Sequence, residues 1–483
     1  MVTMTADSTL GNGSQSTDMA FQLLKKGVAG SAARIGRLAL PNRRPIDTPN
    51  FVASTSRGAV PHVTPDNLAK HTTFGGAYMA LEDFFEKKEP PILRFPSQSR
   101  PLHDFTCFPA DMTTILAPRR TQAVTTPTGN GSTFISIWTS TGYTTITIDA
   151  YASAVETLRP DIAIAPADLF HTSKSPPTKK LVRMAERTEE WSIQFLKPQR
   201  QARFQERGIA IFAPVLAVPY PIQWEYLNHL VDSHQGTGAL AGLAIQDVAL
   251  LPDLIENYTP LEPLARLSLD APATPQMILR QISAGVDICT VPFLNAVSDS
   301  GVALTFTFPP PMQEPGQPAL PLGSDMWTPD HVTAREPLRE GCQCYVCTKH
   351  HRAFIHHLLD AKEMLGWALL QIHNHQVLAD FFAGVRAALA DGSFEELAAR
   401  FEAVYEGELP AGTGSRPRAR GYHLKSGPSA EKINEAPWEN YNKADGPTVG
   451  AAAAAADGIE TPLVPDEDSR ALDSKGFAER TGP

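Results

Sequence analysis

Apolar residues follow two rhythms along the middle of the chain. Short continuous runs at 161–165, 209–213, 241–245, 264–269 and 286–291 alternate with longer segments, 179–195 and 222–233, whose apolar positions recur every three or four residues. The first kind fits strands covered on both faces, and the second fits amphipathic helices laid against them. Thr274 and Pro275 stand as N-cap and first residue of a further helix that stops at Gly285. Upstream, 134–138 and 143–148 flank Ser140-Thr141-Gly142 and predict a hairpin, with Asp149 capping a helix over 150–158. Consecutive strand–helix units of this sort imply an α/β fold of parallel strands screened by helices. A single open sheet and a closed (β/α)8 barrel satisfy the rhythm equally.

The rhythm fails in three places. Residues 1–18 are Ser, Thr, Gly and Asn without apolar periodicity and read as a disordered leader. Residues 409–483, with the alanine run 451–456, read as a disordered tail, which leaves 19–408 as the folded part. The stretch 309–329 is too rich in proline for a helix or central strand and is expected to wander over the surface. These segments hold many of the 42 prolines in the 483 residues.

A formal net charge of −10 argues against a surface that is one electrostatic glove for nucleic acid, so any RNA contact must be a local patch. The start of the chain has neither a basic nor an apolar leader segment, and no apolar run reaches the roughly 18 residues of a spanning helix. Five cysteines are too few for a disulfide scaffold. The expectation is a protein of a reducing compartment, the cytoplasm, without an integral membrane segment.

Three of those cysteines, Cys342, Cys344 and Cys347, fall within six residues. Thiolates so close can share one soft metal ion, and zinc asks for a fourth ligand to complete a tetrahedron. His350, His351, His356, His357, His373 and His375 all follow, and spacing alone does not choose among them. In one straight helix over 352–386, His373 would lie more than about 30 Å along the axis from the thiols. It can ligate only if the chain turns back near 360–366.

The segment 341–374, GCQCYVCTKHHRAFIHHLLDAKEMLGWALLQIHN, resembles the zinc-binding segment of the tRNA-guanine transglycosylases: CxCxxC with a histidine 26 positions after the last cysteine. The likeness extends to GRLALPNRRPIDTPNFVASTSRGAVPHVTPDNL (36–68), RPDIAIAPAD (159–168) and ATPQMILRQISAGVDICTVPF (273–293). It implies the family's (β/α)8 TIM barrel with a zinc-binding subdomain, about 340–386, inserted near its end. It also implies one structural Zn2+ held by Cys342, Cys344, Cys347 and His373.

The family exchanges a guanine of tRNA for a modified base through a carboxylate that attacks the ribose C1′. Active members carry that aspartate in a GxDxFD pattern; here the stretch is Gly285-Val286-Asp287-Ile288-Cys289-Thr290, with Thr290 at the nucleophile position. Three residues away in a strand, Asp287 points to the other face. The TDSGGFQ run of active members is missing from 105–133, Ala167 stands where their guanine-reading aspartate should be, leaving Asp168 as a solvated loop acid, and 211–215 replaces their glutamine-glycine-glycine segment. No catalytic residue is assigned. SRGAVPHVTPDNL (56–68) and SDSGVALTFTF (298–308) resemble the family's non-catalytic branch, which dimerises with a catalytic subunit to support exchange of guanine for queuine at the wobble position of tRNA. The expected location is the cytoplasm, and the resemblance adds the surface of the mitochondrial outer membrane, with which some family members are associated.

Candidate tRNA contacts are Lys349, His350 and Arg352 beside the zinc loop, together with His351, and Arg119, Arg120, Lys179, Lys180 and Arg183 elsewhere. Three readings remain: a non-catalytic subunit, a self-sufficient transglycosylase with relocated acidic residues, and a zinc-stabilised barrel for an unrelated ligand.

Overall fold

The structure, a computed structural model, describes residues 20–417 apart from 28–30, 86–88, 98, 122–123, 171–175 and 315. The leader expected at 1–18 and the tail from 418 onward lie outside the described residues.

Eight parallel strands close on themselves in chain order. They are β1 (Asn50–Ser54), β2 (Gly76–Ala80), β3 (Thr113–Ala117), β4 (Ile162–Ile164), β5 (Ala210–Val215), β6 (Gly242–Ile245), β7 (Ala265–Ser268) and β8 (Ile288–Thr290). The seam is β8 on β1, with Ile288, Cys289 and Thr290 opposite Asn50, Phe51 and Val52. Nearly every strand residue is buried, as strands with a packed lumen inside and helices outside must be. Val52, Tyr78, Ile115, Ile162, Phe212, Leu267 and Ile288 fill the lumen. Phe212 lies so close to β6 that a Cβ on Gly242 would come within 2.5 Å of its ring, so only glycine fits there.

A three-stranded antiparallel sheet (Ala20–Lys26, Arg34–Ala39, Ile46–Thr48) precedes the barrel, and its Leu38 and Ile46 join the lumen cluster. The hairpin appears as Phe134–Thr139 paired with Gly142–Thr147. The helix after it begins at Ile148, and its cap is Thr147, whose hydroxyl accepts the Ala150 N–H; Asp149 sits in the first turn and pairs with Arg200 at 3.0 Å. Among the covering helices are α1 (Thr178–Phe195), as expected, and Pro198–Glu206, which periodicity missed because Phe204 is its one buried side chain. Thr274 caps its helix as expected, accepting from Met277 N.

After β8 the chain forms the segment that carries the cysteines. Part of the proline-rich stretch is ordered against it: Gly323–Asp325 pairs antiparallel with Val302–Leu304, and Leu322 and Met326 are buried. The expectation of a surface loop holds for neither of these residues. Then come α2 (Tyr345–Lys349), α3 (Arg352–Asp360) and the 28-residue α4 (Met364–Asp391), with a reversal at Lys362, whose φ is +56°. Residues 409–417, expected within the tail, lie back on this segment: Thr413 donates to Asp325 through its backbone N–H (3.0 Å) and its hydroxyl (2.6 Å), and Gly414 is against Trp327.

Candidate functional site

The reversal at Lys362 folds α4 back along α3 and brings the middle of α4 to the cysteine loop. Cys342 and Cys344 precede α2, where the Cys344 sulfur caps the helix by accepting from Cys347 N (3.3 Å), and Cys347 sits inside it. The Nδ1 of His373 lies 3.9, 3.5 and 3.4 Å from the sulfurs of Cys342, Cys344 and Cys347, and all four donor atoms lie within 4.8 Å of one another. For bonds of about 2.3 Å to sulfur and 2.0 Å to nitrogen, a tetrahedron asks for a sulfur–nitrogen edge of about 3.6 Å. The cluster can therefore hold a metal ion.

The far side of the imidazole fixes its tautomer. His373 Nε2 is 2.9 Å from the carbonyl of Leu304, so that nitrogen carries the hydrogen and donates, and Nδ1 offers its lone pair to the cysteines. Without an ion the thiols compete for protons. Cys342 is held far below the usual thiol range by hydrogen bonds from Cys344 and Cys347, while Cys344 is pushed far up by hydrogen bonds to Cys342 and Cys347.

Three of the other histidines are occupied elsewhere. His375 is buried against Phe51 and Phe74, its pKa pushed down to about 4 by burial, and it donates from Nδ1 to Gln371 O. His351 caps α3, and His356 donates to Met326 O. Sequence reasoning missed Asn374, which accepts from Leu304 N (2.8 Å) and donates to Val302 O (3.0 Å) and Ser298 Oγ (2.9 Å). The polar run Gln371–Gln376 inside an otherwise apolar helix was its signal.

Of the proposed phosphate contacts, Lys349 is exposed at the end of α2, and His350 stacks on Phe354 with ring centroids 5.4 Å apart. Arg352 is half-buried, donating from Nε and Nη2 to the carbonyls of Pro337 and Leu338. Arg119 and Arg120 are not free clamps. Arg120 bonds Asp83 and the Trp138 carbonyl, and Arg119 lies buried 3.7 Å from Glu82.

At the barrel mouth, where strand C-termini place catalytic groups in this fold, Thr290 is buried and donates to the Ser268 carbonyl at 3.0 Å. Asp287 lies at the opposite end of β8. It accepts from Arg34 Nε (2.9 Å), Arg34 Nη2 (2.5 Å) and Arg266 N (2.7 Å), entirely within the protein. Cys289 is buried and its thiol pushed up by burial. Asp168 is not the solvated loop acid the sequence suggested: it is buried, accepts from Asn130 Nδ2 (2.7 Å) and pairs with Arg187 (2.5 Å), with burial holding its pKa up. Glu82 is likewise buried, taking the N–H groups of Arg120 and Trp138. The space between Tyr78, Ala117, Gln246 and Leu269 amounts to about 50 Å³, well under the few hundred typical of a ligand pocket.

Comparison with known proteins agrees with this geometry. The profile of the family described as "Queuine tRNA-ribosyltransferase" matches residues 29–407. A protein of Schizosaccharomyces pombe named "Queuine tRNA-ribosyltransferase accessory subunit 2" is 35% identical over 402 residues, covering 82% of this chain and 86% of its own. Relatives of the same name from Anopheles gambiae and Trichoplax adhaerens are each 26% identical, over 395 and 402 residues, covering 77% and 80% of this chain and 85% and 100% of theirs.

Proposed function

Because the chain belongs to the queuine tRNA-ribosyltransferase family, we propose that it is a non-catalytic subunit that dimerises with a catalytic subunit and helps place tRNA for exchange of guanine by queuine at the wobble position of GUN anticodons. The observation that carries this reading is Thr290. At the family's nucleophile position stands a buried hydroxyl already donating to a carbonyl, and Asp287, at the other end of β8, is locked between Arg34 and Arg266. Attack on C1′ requires an ionised nucleophile, and this end of β8 supplies none.

The cysteine–histidine cluster is read as a structural zinc site. Four protein donors complete the tetrahedron and leave no position for a reacting water, so the ion would tie the loop before α2 to the middle of α4. The segment around it exposes Val332, Tyr345, Met364 and Leu365, large apolar side chains of the sort a partner covers. Lys349 and His350 would meet RNA phosphate there, with Arg352 bracing the loop that presents them. The cytoplasm is the proposed location, where the cysteines stay reduced.

A second reading, a self-sufficient transglycosylase, would need a relocated acid. Its best candidate is Asp270, two residues past β7, which accepts one N–H from Val248 and whose pKa burial raises. Labelled queuine incorporation into tRNA, and trapping of a denaturation-resistant protein–RNA adduct, should be measured for this chain alone, a catalytic partner alone and the mixture. Incorporation and adduct are expected only with the partner present, with the adduct on the partner. An adduct on this chain that disappears in Asp270→Asn would overturn the proposal.

A further inference from the structure

Beside the closed mouth lies a cavity of about 300 Å³, between the loop after β3, the loop after β4 and one face of α1. Its lining holds the cations Arg119, Lys180, Arg183 and Arg187 and the carboxylate of Asp168, with Glu82 behind the lining 3.7 Å from Arg119 Nε. Lys180, Arg183, Met184 and Arg187 sit three or four residues apart on α1, the spacing that puts them on one helix face. The same face is fastened to the loop after β4, because Thr188 Oγ1 accepts the Asp168 N–H (3.0 Å).

The four cations divide by depth. Arg119 is buried; its Nη2 donates to the Val124 carbonyl, and its Nε faces Glu82 at 3.7 Å without a hydrogen-bond partner among the described residues. Arg187 is largely buried; it holds Asp168 and the Asn130 carbonyl, and its own Nε is unpartnered in the same sense. Lys180 and Arg183 are exposed at the rim, where the exposed Glu186 meets Arg183 at 3.1 Å. Leu169, Phe170 and Met184 supply an apolar wall.

Asp168 is already taken by Arg187 and Asn130, and Lys180 and Arg183 leave positive charge at the rim. A neutral base entering would desolvate several cations without offering them a charge, which is costly. A doubly charged, many-acceptor group would satisfy them.

We propose that this cavity is a phosphate-ester site: a phosphate drawn between Lys180 and Arg183 at the rim with Arg187 behind them, and the attached nucleoside against Leu169, Phe170 and Met184. The inference goes beyond the subunit reading and does not depend on it, since the isolated chain is the object of the test. Two sources share this chemistry, a free nucleotide and a phosphodiester of the RNA backbone.

Calorimetric titration of the full chain with inorganic phosphate, guanosine 5′-monophosphate, guanosine and a short 5′-hydroxyl RNA tests it. Binding of the monophosphate and not of guanosine is expected, with at least a tenfold loss in Lys180→Gln/Arg183→Gln. Both side chains are exposed, so that variant should unfold at the wild-type temperature. The equally charge-reducing control Lys70→Gln/Arg94→Gln, also on exposed residues, should bind as wild type does. Binding of the monophosphate alone assigns the free nucleotide as source, and binding of the RNA with the same sensitivity assigns the backbone; either supports the site. Equal binding of guanosine, no binding of any phosphate-bearing probe, or affinity unchanged in the double variant would overturn it.

Discussion

At Asp287 one carboxylate answers three donors, two from Arg34 and one from the Arg266 backbone, and Arg34 reaches on to the carbonyls of Glu262 and Leu264. Both partners of the ion pair are buried. Removing one half leaves the other charged and dry, so Asp287→Ala should cost about 3–5 kcal/mol of stability. Urea unfolding would measure it, and Arg34→Met/Asp287→Leu should recover much of the loss, because a well-packed apolar pair often replaces a buried ion pair without penalty. An unfolding midpoint unmoved by Asp287→Ala would show that the carboxylate is not structural. The two residues three apart on this strand thus have different origins in the sequence: that they diverge was legible from strand geometry, but that Asp287 is claimed by an arginine 253 positions earlier was not, since nothing local encodes a partner so distant.

Among elements, α4 links the two halves of the argument. Gln371, His373 and Asn374 are buried polar groups on one helix, reaching Asn295, the cysteines with Leu304, and Val302 with Ser298. Metal binding here would also be folding free energy for the short helices α2 and α3. Cys344→Ser or His373→Ala should lose one zinc per chain, and a chelator should do the same to wild type. Hydrogen exchange would then rise across 337–360 while the barrel strands stay protected; uniform protection after full metal loss would refute the coupling. Elements with a strong apolar period, such as α1 and β5, were readable from the sequence because burial imposes that period. Pro198–Glu206 was not, for it contributes one buried ring, and the cap at Thr147 was displaced from Asp149 because the buried Ile148 starts the helix earlier.

At the scale of the whole molecule, the sequence rhythm left sheet and barrel undecided, since closure depends on one long-range pairing, β8 with β1, that no window of residues contains. The family resemblance supplied what periodicity lacked, and it also singled out His373 from six histidines. It did not disclose the filled mouth or the positive cavity, which depend on how loops from different units meet. The expected assembly is one copy of this 52.4 kDa chain with one catalytic subunit. Native mass measurement should show the mixed dimer, weakened by Tyr345→Glu or Leu365→Glu, and persistence as separate chains in excess partner would refute it.

The seam has a consequence for how the chain is made. Asn50 leaves the ribosome about 240 residues before the strand it must join. At roughly 5–20 residues per second that is an interval on the order of 10–50 s. Throughout it β1 can pair on one side only, with β2, and its other edge is an open row of donors and acceptors of the kind that recruits foreign strands. Nascent chains stalled ahead of residue 288 are therefore barrels with a slit, and guarding that slit during synthesis falls to chaperones rather than to the fold itself.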